Sequence, residues 1–73
     1  MRFDLHPYSI HVIERPEETM KGKKREKLVD ELTKVAKSAF GPQMTREDVA
    51  QHTMPADSLI VVKRGNRIVG FSS

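Results

Sequence analysis

The run Leu59-Ile60-Val61-Val62 constrains this chain more than any other stretch. Four consecutive apolar positions present hydrocarbon to both faces of a sheet, so the run reads as an interior strand covered on at least one side by helices. It is also the longest apolar run, far short of the roughly 20 residues that cross a bilayer, and no membrane span is expected.

One neighbour for that strand follows at once. In Arg64-Gly65-Asn66-Arg67 the central pair suits a two-residue turn, so Ser58 to Ser73 is expected to form a hairpin. In the register of that turn Val62 faces Val69, Val61 faces Gly70 and Ile60 faces Phe71. Near the other end, Tyr8 to Glu14 alternates, with Tyr8, Ile10 and Val12 on one side and Ser9 and His11 on the other. Pro7 and Pro16 bracket this segment, which marks a short edge strand.

Between these strands the apolar period lengthens. Leu28, Leu32, Val35, Ala36 and Ala39 form one helical stripe within a helix expected from about Glu18 to Phe40. Thr19 is a candidate cap, Gly22 weakens the start, and Asp30 with Lys34 stands at ion-pair spacing on the outer face. Gly41-Pro42 ends the helix: glycine supplies a left-handed cap and proline cannot continue. Met44 to Val49 opens a second, short helix. Thr45 and Asp48 have capping-box spacing, Met44 and Val49 stand at staple positions, and Pro55 limits the end. Met20, Met44 and Met54 read as packing residues.

The expected fold is α/β of the α+β type, a single domain over 1–73. Its order is strand–helix–helix–hairpin, with a three-stranded, mainly antiparallel sheet packed against two helices. With 73 residues, 37% of them apolar, the core is modest. No cysteine is present, so disulfides and thiolate metal sites are excluded. Association with another chain is the expected aid to stability. Residues 1–7 have no apolar core of a signal peptide, and a cytoplasmic location is expected.

The closing strand Ile68-Val69-Gly70-Phe71 and the order of elements before it resemble the N-terminal arm of the GNAT superfamily of N-acetyltransferases. Ile10 to Pro16 is similar to that family's first strand and turn, Met44 to Val49 to its second helix, and Ser58 to Phe71 to its second and third strands. The resemblance covers nearly all of this chain but about half of the family domain. It implies that the acetyl-CoA loop and the catalytic acid and base lie beyond residue 73. No catalytic or cofactor-binding residue carries over, and acetyl-CoA would be held only if a partner completes the domain. The loop Phe40, Gly41, Pro42, Gln43 would line the acceptor-substrate side. The last strand would pair with a second copy or with a complementary C-terminal half, since an unpaired edge beside apolar Val69 and Phe71 is a template for another strand.

Three other patterns bear on function. Arg67-Ile68-Val69-Gly70-Phe71-Ser72 has the spacing of an Arg-x-x-Gly-x-small phosphate loop, but the stretch reads as an ordinary strand. The net charge of +3 is concentrated: residues 21–27 hold five basic residues and one acidic, the remainder eight basic and nine acidic. Lys21, Lys23, Lys24, Arg25 and Lys27 are therefore the anion-binding candidates, for nucleic acid or another polyanion, although cations near a helix start oppose its dipole. His6, His11 and His52 are scattered, Glu14, Glu17 and Glu18 read as a solvent-facing turn, and neither a metal site nor a nucleophile–base pair is expected.

Overall fold

The computed structural model describes residues 8–73; His6 lies outside them. It is a small α+β domain with β1 (Tyr8–Glu14), α1 (Pro16–Thr19), α2 (Lys23–Phe40), α3 (Arg46–Thr53), β2 (Ser58–Arg64) and β3 (Arg67–Ser72). The sheet is antiparallel in the order β1-β2-β3, with the doubly apolar strand in the centre.

Three helices stand where two were expected. The chain breaks at Met20–Gly22, where Gly22 adopts a φ of 63° and α2 begins at Lys23 without a side-chain cap. Thr19 caps nothing: its hydroxyl donates backward to the carbonyls of Glu14 and Arg15. Arg15, in the left-handed region at φ 46°, turns β1 into α1, and its N–H donates to Asp57 O at 2.7 Å. That bond ties the end of β1 to the loop that feeds β2.

The start of α3 follows the expected chemistry. Asp48 N–H donates to Thr45 Oγ1 at 3.1 Å, and Thr45 N–H to Asp48 Oδ2 at 3.4 Å. Met44 packs partly buried on the core into which Val49 is sealed. Thr45→Ala removes the acceptor for an N-terminal N–H and is expected to cost about 1 kcal/mol, read as a lower urea midpoint.

The core lies between one face of the sheet and the helices. Leu28, Leu32 and Ala36 from α2 and Val49 from α3 meet Leu59 and Val61 from β2. Met54 is buried among them, and Met20 is partly buried against them, as packing residues should be. Thr33 and Thr53 are buried too, and each hydroxyl donates to a carbonyl one turn back, at 2.6 and 2.7 Å, so neither is left unsatisfied.

The hairpin register departs from the expected one. Arg64 pairs with Arg67 and Lys63 with Ile68, as a two-residue turn demands, with Gly65 at φ 64°. A bulge then shifts the pairing by one, so Val62 faces Gly70, Val61 faces Phe71 and Ile60 faces Ser72. Val69 is the extra residue. The shift keeps both Ile68 and Phe71 on the helix-covered side, which a regular ladder would not do for residues three apart.

The opposite face of the sheet carries hydrocarbon, and none of the described helices covers it. Ile10 pairs with Val62 and Val12 with Ile60, and these residues share the face with Tyr8 and Arg64. Ile10 is 71% exposed, and Tyr8, Val12 and Ile60 are exposed beside it. The Arg64 guanidinium lies 5.6 Å from the Tyr8 ring centroid, within cation–π range.

Candidate functional site

α2 presents two adjoining stripes to the sheet side. One buries Leu28, Val29, Leu32 and Ala36. The next holds Lys24, Lys27, Glu31, Lys34 and Ser38, which recur every three or four residues and so share a flank. This flank borders two grooves. The first, about 530 Å³, runs between the N-terminal half of α2 and the covered face of the sheet. Its floor is Ile13, Met20, Leu28, Val61 and Ile68, and its rim carries Lys24, Lys27, Lys63 and His11. The second, about 560 Å³, lies between the C-terminal half of α2 and β3, where Lys34, Val35 and Ala39 stand opposite Arg67, Ile68 and Val69. Both include Glu31, Asn66 and Ile68, so they form one trough along α2.

The charge of the trough is one-sided. Lys24, Lys27, Lys34, Lys63 and Arg67 line it, with Glu31 their one acidic companion among the described residues. Among the described residues none of these five cations lies within 4 Å of a carboxylate. On the opposite flank of α2 the charges are matched. Arg46 of α3 reaches Glu26 at 2.8 Å and also pairs with Asp30, while Arg25 approaches Glu26 at 3.8 Å. The expected Asp30–Lys34 pair does not form, because Asp30 turns to Arg46 and Lys34 belongs to the trough. Helix-to-helix pairing thus takes up two of the carboxylates of α2 and leaves the sheet-facing flank cationic.

The basic segment is divided by this geometry. Lys24 and Lys27 enter the trough; Lys21 precedes α2, Lys23 opens it, and neither lines the trough. Arg25 approaches Glu26, the carboxylate that Arg46 of α3 also engages, and does not line the trough. Lys34, Lys63 and Arg67, absent from the sequence-based candidates, join Lys24 and Lys27. Lys34 was legible from helical spacing, whereas Lys63 and Arg67 come to the trough only through the hairpin.

The loop Phe40, Gly41, Pro42, Gln43 closes α2 and lines neither groove. Gly41 N–H donates to Lys37 O at 3.0 Å and Gln43 Nε2 to Phe40 O at 2.7 Å. Gly41 sits at φ 115°, ψ 166°, not in the left-handed helical region expected of a helix cap. Phe40 is 66% exposed. Arg67–Ser72 is strand β3 throughout, with Ile68 buried, and provides no phosphate loop. Among the described residues no group of three or more His, Asp or Glu is placed to hold a metal ion, and no helix is long and apolar enough to cross a membrane.

No family model, no curated protein and no solved structure matches this chain.

Proposed function

We propose that this chain is the first arm of an acetyltransferase-like fold, a module whose sheet is extended beside β3 by a further polypeptide segment and which alone transfers no acetyl group. The observation that carries this reading is the unfinished sheet. β3 stands at its edge, and the face opposite the helices exposes Tyr8, Ile10, Val12 and Ile60. A one-sided sheet with an apolar open face is half of a layered architecture, and a free edge accepts another strand. The order strand, helices, antiparallel hairpin agrees with the GNAT N-terminal arm on which the resemblance rests.

The residues present do not fit acetyl-CoA by themselves. A pyrophosphate calls for a glycine-lined bend opening into a helix N-terminus. Arg67–Ser72, the one stretch here with related spacing, is an extended strand paired with β2, neither a glycine-lined bend nor the opening of a helix. Whether continuous with this chain, part of a second protein or part of a second copy pairing through β3, the completing segment buries the same edge.

Calorimetry of this chain with acetyl-CoA is expected to show no saturable heat. Fusion, just after β3, to the fourth strand, phosphate loop and helix of an acetyltransferase is expected to give a folded chimera that binds the cofactor. A folded chimera without binding, or tight binding by the chain alone, rejects the reading. Polyanion contact through residues 21–27 is the second reading, and the convergence of Lys24 and Lys27 with Lys63 favours it. It is separated from the first below.

A further inference from the structure

We infer that the trough between α2 and β3 receives an extended, acidic and partly apolar peptide segment that adds to the sheet at β3. This deepens the reading of β3 as the edge where the sheet is extended, and it does not depend on acetyl transfer.

Three features specify that occupant. The first is charge. Five cations line the trough with one carboxylate, while the carboxylates Glu26 and Asp30 of the same helix are drawn off to Arg46 on the far side. A carboxylate-bearing segment supplies the missing countercharge. The second is the floor. Ile13, Met20 and Val35 are partly exposed there above buried Leu28, Val61 and Ile68, so the occupant also carries hydrocarbon. A nucleic acid backbone offers phosphate but no aliphatic side chains, and among the described residues no aromatic platform for base stacking lines the trough. The third is length and edge. From Lys24 to Ala39 the helix rises about 22 Å, the span of about seven residues of extended chain. Along the second groove lies β3, and among the described residues no strand pairs with its outer side. A peptide there gains main-chain hydrogen bonds where it passes the β3 edge beside the second groove, and side-chain contacts where it continues along α2 over Val61 and Ile13.

The test uses a fluorescein-labelled peptide of alternating valine and glutamate, about seven residues long to match the trough, and the full chain. Anisotropy is expected to saturate with the acidic peptide and not with its lysine-for-glutamate counterpart. Lys27→Glu/Lys34→Glu is expected to weaken binding roughly tenfold or more, because attraction becomes repulsion at two positions. Lys21→Glu/Lys23→Glu changes net charge equally outside the trough and is expected to stay within about twofold, since exposed charges at a distance are screened. A peptide N-methylated on alternate amides, which cannot pair with a strand edge, is expected not to bind. All substituted side chains are exposed, and unchanged far-UV circular dichroism checks that the variants fold.

Equal binding of acidic and basic peptides, equal loss in both double variants, indifference to N-methylation, or no saturation at all overturns the inference. So does a single-stranded oligonucleotide of matched charge that binds as tightly as the peptide, an outcome that favours the polyanion reading. Peptide binding together with a chimera that folds but fails to hold acetyl-CoA keeps this inference and removes the acetyltransferase one; the reverse pattern does the opposite.

Discussion

Leu32→Ala is expected to remove about half of the folding free energy of this chain. Leu32 is 0% exposed and stands midway along the core stripe of α2, with Leu28 one turn before it and Ala36 one turn after. Replacing a buried leucine by alanine costs about 2–5 kcal/mol, the lost transfer energy plus the cavity left behind. A domain of this length has in total about 4–11 kcal/mol at typical values per residue. The urea midpoint followed by far-UV circular dichroism should fall accordingly, with the slope unchanged. The informative control is Ile10→Ser, at an equally apolar position in the sequence. Ile10 lies on the open face, and for the isolated chain its replacement should change stability by no more than about 0.5 kcal/mol. A large loss for Ile10→Ser that shrinks on dilution would show that the open face is covered by a second copy at working concentration.

Gly41→Ala is the second large effect, about 2 kcal/mol or more. At φ 115° and ψ 166° this residue occupies a backbone region that is essentially glycine's alone, where other residues carry about 1–3 kcal/mol of strain. A β-carbon there would also run into the Gln43 side chain, which folds back over the glycine to donate to Phe40 O. Gln43 would have to leave and lose that bond. The double variant Gly41→Ala/Gln43→Ala relieves the collision but not the backbone strain, so it should recover only part of the loss. Denaturant titration of the three proteins separates the two contributions. A neutral Gly41→Ala would mean that the chain leaves α2 by a different path, and it would reopen a substrate-side role for Phe40, Gly41, Pro42 and Gln43.

Much of the architecture was legible before any coordinates. The chemistry that ends or starts an element acts within about four residues, so it can be read locally. Gly41-Pro42 stops α2, Thr45 with Asp48 opens α3, and Gly65-Asn66 reverses the hairpin. The misreadings were also local, but came from competing uses of one residue. Thr19 had the type of a helix cap and instead bonds backward to Glu14 and Arg15. Asp30 had a partner at ideal spacing in Lys34 and took the guanidinium of Arg46 from another helix. The trough was half visible: helical spacing aligns Lys24, Lys27 and Lys34, yet the prominent basic run drew Lys21, Lys23 and Arg25 into the candidate set because linear density is not spatial convergence.

The amino-acid order by itself determined the three strands, the stop of α2 and the start of α3, and that Leu59–Val62 runs through the middle of the sheet; the break that sets α1 apart from α2 was not read from it. It determined too that Tyr8, Ile10 and Val12 share a side. Only the tertiary structure decided that this side is the uncovered one, because alternation sorts residues into two faces without saying which of two apolar faces a helix will land on. The same holds for the bulge at Val69: one added residue costs little locally, and it is selected because it keeps Ile68 and Phe71 together under α2, a gain that exists only once the layers have met.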